Sequence, residues 1–379
     1  MKRLISKPRE NWKKIVESQG LHFHSVDNNQ IYWDESACYE FNMIEIDLIE
    51  RVTNELNEKI LEAIQYVIDN KLYNQIGIPE YAIEKIEYSW DNELPSIYGR
   101  LDFCYHQETN LLKLYEFNAD TPTSLLESSV NQWFWMKDLH PNQDQFNSIH
   151  ERLIKYWETV KSYLKSGKIH FSATNKSIED IVTVEYLRDT AIQANLDTEY
   201  IAIEDIGYDN KNLKFVDINN EEIKNIFKLY PWEWLLYEEF GKYINLKNQI
   251  WIEPTWKMIA SNKALLAIMW QLYPNHPNLL RTEFKKFNNN YCIKPFISRE
   301  GSNVKLIKNG KSIFETDGEY GEEGVIYQEL CELPNFDGKY PMIGSWLIDQ
   351  ESAGIGIRET NNLVTNNTAC FIPHYIKIV

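Results

Sequence analysis

The stretch Leu114-Tyr115-Glu116-Phe117-Asn118-Ala119-Asp120-Thr121-Pro122 alternates oxygen-bearing side chains with aromatic and apolar ones, then breaks off at a proline. In an extended chain, residues two apart share a face, so Glu116, Asn118 and Asp120 line one side of a strand and Tyr115 and Phe117 the other. The run GRLDFCYH, residues 99–106, has the same period, with Arg100, Asp102 and Cys104 set against Leu101, Phe103 and Tyr105. A short polar turn at Gln107–Asn110 separates the two runs, and together they predict a hairpin over 99–120. With the polar faces together, Arg100 and Asp102 lie across from Glu116 and Asn118.

Two readings of that face stay open. Hard divalent cations such as Mg²⁺ take oxygen ligands and share their site with substrate phosphates, which Asp102, Glu116 and Asn118 would suit. Arg100 would then grip a phosphate or acyl oxygen with its two-pronged guanidinium. The same residues also make an ordinary arginine with carboxylate partners on a solvated sheet face. Downstream, Thr121 is a good N-cap and Pro122 a favoured first helical residue, so a helix is predicted from there through SLLESSVNQWFWMKD. Its free N–H groups would form an anion site beside the strand end, with Asp120, Thr121 and Thr123 as candidate substrate-binding residues.

Further along, Lys294 closes the apolar run YCIKPF before a loop containing Gly301, an arrangement that either cradles phosphate or is an ordinary surface lysine and loop. Lys263, in SNKALL, has the same ambiguity. Arg358 lies within SAGIGIRET, an apolar and glycine-rich run where an unpaired charge is costly. It either closes an ion pair or meets an anionic ligand.

The whole chain is globular in composition: 379 residues, 43% hydrophobic and 13% aromatic. A net charge of −17 opposes binding to a phosphate backbone, so nucleic acid is set aside, and it favours cationic ligands. Five scattered cysteines, never in a Cys-x-x-Cys pair, read as reduced thiols. No export signal or membrane-spanning run is visible, and a cytoplasmic protein is expected.

Leu48, Val52, Leu56, Ile60, Ile64 and Val67 recur at steps of three and four and predict an amphipathic helix over 44–71. Residues 166–250 alternate strand, helix and strand, a small βαβ substructure, and 251–379 is rich in antiparallel strands. The expected fold class is mixed α+β and α/β, with that substructure inserted in mid-chain. Asn309-Gly310-Lys311-Ser312 resembles the end of a phosphate-binding loop, but Lys305 stands where the first glycine is required, and a hairpin turn is predicted. His22 and His24 lack a third ligand and read as an exposed strand.

Taken together, RLDF (100–103), YEFNADTP (115–122), EPTWKMIASNKALL (253–266), IKPFISREGSNV (293–304), VIYQELCELPNFDG (325–338) and GSWLIDQESAGIGIRET (344–360) resemble the glutathionylspermidine synthase family in its synthetase module. The resemblance implies one synthetase unit over 1–379 with an ATP-grasp-like fold. Its N-terminal part would be 1–165, its substrate-side substructure 166–250 and its ATP-clamping region 251–379. It implies ATP and Mg²⁺ as cofactors, an acyl phosphate, and amide formation between a small or peptide carboxylate and an amine, with spermidine one candidate. By resemblance Asp102, Glu116 and Asn118 hold Mg²⁺, Arg100 is catalytic, Lys263 and Lys294 hold phosphates with the Gly301 loop as lid, Gln328 lies at the adenine-binding hinge, and Arg358 contacts nucleotide. About twenty residues precede the match and hold no candidate cysteine nucleophile, so amidase activity is not expected. The run Lys228–Trp234 lacks the hydroxyl residues expected near a glutathione site, which leaves the acid open. The competing classes are a non-catalytic ATP- or polyamine-binding protein and a metal-dependent phosphohydrolase.

Overall fold

The computed structural model describes residues 1–26, 30–366 and 369–378. The predicted hairpin is present: Tyr98–His106 pairs antiparallel with Leu111–Asn118, Arg100 opposite Asn118 and Asp102 opposite Glu116, with a bulge after Asp102. It forms one edge of a five-stranded sheet continued by Tyr340–Ile348, Glu351–Thr360 and Cys370–Phe371. Gly344 stands opposite Asp102, and a β-carbon there would lie 2.7 Å from Cδ of Arg100. Glycine at that position makes room for the arginine.

Both ends of the hairpin are anchored from one point. Lys257, buried in the run read above as EPTWKMIASNK, donates to the carbonyls of Tyr98 and Ala119 and pairs with Glu253. Glu253 in turn accepts from the backbone N–H of Ile97 at 2.9 Å.

The long helix Met43–Asp69 starts on a reciprocal cap between Asn42 and Glu45 and buries Val52, Leu56, Ile60, Ile64 and Val67. Its polar positions also work: Thr53 meets Ser345 at 2.8 Å, and Asn57 donates to the Gln350 carbonyl, fixing the helix across the sheet.

Ile169–Ala173, Thr198–Ala202, Asn225–Leu229 and Ile250–Ile252 form a four-stranded parallel sheet, with the helix Ile178–Gln193 joining the first two strands. A second five-stranded sheet is antiparallel and comprises Thr282–Glu283, Val325–Glu329, Tyr291–Pro295, Lys305–Lys308 and Lys311–Glu315. Asn309-Gly310 is the turn between its last two strands, as predicted. Among the described residues, no helix is long and apolar enough to cross a membrane.

Two local expectations are corrected. His22 and His24 lie in a turn, not a strand. The helix predicted from Thr121 begins at Leu125, because Asp120 to Ser124 are held open by side chains from elsewhere. Arg100 Nη1 takes the Thr123 carbonyl at 2.5 Å, Arg299 Nη1 takes Thr121 Oγ1 at 2.6 Å, and Ser124 has a left-handed φ of 70°. The N-cap signal at Thr121 is overridden by tertiary contacts.

Candidate functional site

The hairpin's polar face is no solvated surface. It is one wall of a cavity of about 630 Å³ between the two five-stranded sheets and the carboxyl-terminal edge of the parallel sheet. Arg100 is 5% exposed and Asp102 only 1%, so the reading as a solvated ion pair fails on burial. Asp102 accepts from Arg100 Nε at 2.7 Å on one oxygen, and from Arg100 Nη2 at 3.0 Å and Asn118 Nδ2 at 2.9 Å on the other.

Lys263 and Lys294 reach the same wall from separate elements. Lys263, just before the helix Ala264–Leu272, places Nζ 3.4 Å from Glu116 and 2.8 Å from the Ser298 carbonyl. Lys294 donates to the Tyr115 carbonyl at 3.2 Å and lies over that tyrosine's ring. Burial acts to raise the Glu116 pKa, but Lys263, Lys294 and Arg100 outweigh it and hold the carboxylate at about 2. Glu116 is therefore a charged oxygen donor at any working pH.

Gln328, 2% exposed, donates to the same Tyr115 carbonyl, and the apolar residues Leu330, Leu333 and Met342 line the cavity around it. Gly301 has a φ of 70°, and a β-carbon there would lie 2.9 Å from the Thr365 carbonyl, so the loop it serves fits closely against that segment. Arg358 lines the cavity with Nη2 on the Asn366 carbonyl and Nε without a hydrogen-bond partner.

Asp120, Thr121 and Thr123 also line the cavity, although each already has protein partners. Asp120 is paired with buried Lys228 at 2.5 Å and accepts from the Trp232 N–H. Thr121 is engaged by Arg299, and Thr123 by Arg100 and Glu179. All twelve residues singled out in the sequence thus belong to this cavity.

Others went unread in the sequence. Arg299, in the loop before Gly301, bridges Thr121 and Glu233, so it fastens that loop across the cavity. Glu179 and Asp180 open the helix capped by Ser177 and line the same cavity, Glu179 bonded to Thr123 and within the field of Arg358 and Arg100. Behind them is Glu127, which accepts from Tyr32 at 2.6 Å and keeps one oxygen without a partner. Burial and the neighbouring Glu179 push Glu127 up to about 7. Burial and Glu179 likewise push Asp180 up to about 6. The only available signal was acidic residues in a helical first turn, which is ordinary helix capping.

The cavity lining thus combines an oxygen-donor cluster, three cations beside it and a further carboxylate pair. The chain matches the family model "Glutathionylspermidine synthase preATP-grasp" over residues 3–377 and belongs to that family. It is 41% identical to a provisionally named acid–amine ligase of Haemophilus influenzae, over 99% of each chain. It is 26% identical to the bifunctional glutathionylspermidine synthetase/amidase of Escherichia coli, covering 98% of this chain and 64% of that one. The chain is thus a ligase of the kind that forms carbon–nitrogen bonds and spans about two thirds of the bifunctional relative. In fold alone it is similar to a glutathione synthetase-like effector of Globodera pallida, with a TM-score of 0.59 at 10% identity over 98% of this chain and 100% of that one.

Proposed function

We propose that this chain is an ATP- and Mg²⁺-dependent ligase of ATP-grasp type that joins a carboxylate to an amine through an acyl phosphate. The observation that carries the reading is the make-up of the cavity lining, which joins the cations Arg100, Lys263 and Lys294 to the oxygen donors Asp102, Glu116 and Asn118 and to a second carboxylate pair, Glu179 and Asp180.

The donor set at the hairpin suits a hard cation: two carboxylates, Asp102 and Glu116, and the amide of Asn118, all on one wall. When bound there, Mg²⁺ would offset charge on the nucleotide's phosphates. Lys263 and Lys294 would neutralise phosphate oxygens, Gln328 would face the adenine among Leu330, Leu333 and Met342, and the Gly301 loop would cover the phosphates. Phosphoryl transfer asks mainly for such positioning and charge neutralisation.

The substrate acid's carboxylate attacks the terminal phosphorus, the bond to ADP breaks, and an acyl phosphate forms. A neutral amine then attacks the acyl carbon, and the tetrahedral intermediate collapses to amide with loss of phosphate. Arg100, held by Asp102 and the Thr123 carbonyl, would stabilise oxygen charge in both steps. Asp120, Thr121 and Thr123 would line the seat of the acid. Asp180, pushed up to about 6, is suited to take a proton from the incoming ammonium, and Glu179 to hold a second ammonium of a polyamine.

The relatives' names point to glutathione and spermidine as first compounds to try. ADP release should be measured with Mg-ATP and spermidine, with and without glutathione and other short peptides, together with the mass of any adduct. ADP release that requires acid and amine together, with one amide formed per ADP, is expected. ADP release at full rate without amine would instead mark a phosphohydrolase.

A further inference from the structure

We propose that His170, Glu199 and Asp217 form a second, structural metal site for a divalent cation of the zinc class. His170 is the second residue of the strand Ile169–Ala173 and lies in register with Glu199 on the parallel neighbour Thr198–Ala202. Asp217 follows the strand Lys214–Val216, whose other partner is Gly207–Asp209. The three side chains come from two neighbouring strands and the loop after a third, and their ligand atoms all lie within 4.8 Å of one another.

The contacts are longer than ordinary hydrogen bonds, and Asp217 is the nearer partner of the ring. His170 Nε2 is 3.6 Å from Asp217 Oδ2 and 3.9 Å from Glu199 Oε2. Two ligands each about 2.1 Å from a shared tetrahedral cation would stand roughly 3.4 Å apart, so a small inward shift closes the site. His170 is 1% exposed with both ring nitrogens lacking a hydrogen-bond partner, and Asp217 Oδ2 is likewise buried and unpartnered. Native proteins rarely leave such groups unpaired. Asp217 is also aimed, since its other oxygen accepts from the N–H groups of Asn219 at 2.8 Å and Glu221 at 2.9 Å.

Lys168 is a resident competitor, 2.7 Å from Glu199 Oε2. It also reaches Glu221 at 2.9 Å and can keep that partner when a metal takes Glu199. One imidazole and two carboxylates suit zinc better than magnesium, which prefers oxygen alone. Cys104, His106 and Cys331 are also clustered, but there Cys104 Sγ and His106 Nε2 already share the Glu332 carbonyl at 3.4 and 2.7 Å. The His170 site is at the amino-terminal edge of the parallel sheet, and none of its three residues lines the cavity. Its effect is to tie the Gly207–Val216 hairpin to the sheet.

The test uses full-length protein stripped with a chelator, loaded with ZnCl₂ and dialysed, with bound zinc counted by mass spectrometry. Glu199→Gln and Asp217→Asn should each carry one zinc fewer than wild type and lose the zinc-dependent rise in thermal midpoint. Glu199 is partly exposed, so its substitution separates loss of metal from loss of folding. Lys168→Met should bind zinc more tightly than wild type. Equal zinc content in wild type and both carboxylate variants overturns the proposal, as does a wild type that retains none.

Discussion

A carboxylate in the cavity wall and one behind that wall are held in opposite states, at about 2 for Glu116 and about 7 for Glu127. Burial acts on both in the same direction, raising the pKa, so it cannot be what separates them. Neighbouring charge does. At the hairpin end Arg100, Lys263 and Lys294 stand against Asp102 and Glu116, one positive charge in excess before any metal binds. Around Glu127 the nearest charge is the carboxylate of Glu179, which also repels Asp180, and of the neighbouring arginines Arg358 is the one that acts on Glu127. The excess cation at the hairpin and the carboxylates around Glu127 are thus distinct electrostatic environments, joined at Thr123, which meets both Arg100 and Glu179.

The largest effect is expected at Arg100. Arg100→Ala should lower the rate of ADP release by about 10²- to 10³-fold, the usual cost of a donor aimed at developing oxygen charge. It should also cost about 3–5 kcal/mol of stability, because Asp102 is left buried and unpaired. This differs from a solvated pair, whose removal would barely affect folding. Circular dichroism on the assayed sample gives the folded fraction, and a normal rate per folded molecule would remove the reaction from the hairpin end.

Next in size, Lys294→Met should weaken ATP binding roughly ten- to hundred-fold, since a hydrogen bond to a charged group is worth about 1.5–3 kcal/mol. Titration calorimetry should find amine binding unchanged. Glu179→Gln should do the converse, raising the KM for amine by about tenfold, one lost charge–charge contact of roughly 1.4 kcal/mol, with the KM for ATP unaltered. If either variant moved both constants equally, the assignment of Lys294 to the nucleotide and Glu179 to the amine would be wrong.

The contrast also marks where the sequence could be read. The hairpin was legible because its signal is local: a period of two, a polar turn and a register that pairs Arg100 and Asp102 with Asn118 and Glu116. Six ordered motifs carried the family, which the match over residues 3–377 bears out. The connector was misread because Thr121-Pro122 is a sound local cap, yet Asp120 is claimed by Lys228 and Thr121 by Arg299, partners distant in sequence. For the same reason alternation revealed a polar face but not the opposing wall that buries it. The acidic end was invisible because Glu127, Glu179 and Asp180 belong to two different helical turns that meet only in three dimensions.

The smallest effect on turnover, and the sharpest on the comparison, is expected at Glu127. Its folded pKa of about 7 is above the ordinary value of 4.5, so between those values the folded chain holds a proton that the unfolded chain has released. Stability from this group therefore falls as pH rises from 4.5 through 7, by about 3 kcal/mol in all. Glu116 runs the other way: its contribution is full above 4.5 and is lost as pH falls towards 2. Glu127→Gln keeps an acceptor for the Tyr32 hydroxyl but never ionises, so it should gain about 3 kcal/mol over wild type at pH 8 and almost nothing at pH 4.5. Urea unfolding at the two pH values measures this directly, and equal differences at both would mean that Glu127 titrates as an ordinary carboxylate. A bound polyamine should shrink the pH 8 gain, because its ammonium supplies the missing counter-charge beside Glu179 and lets wild-type Glu127 ionise at lower cost.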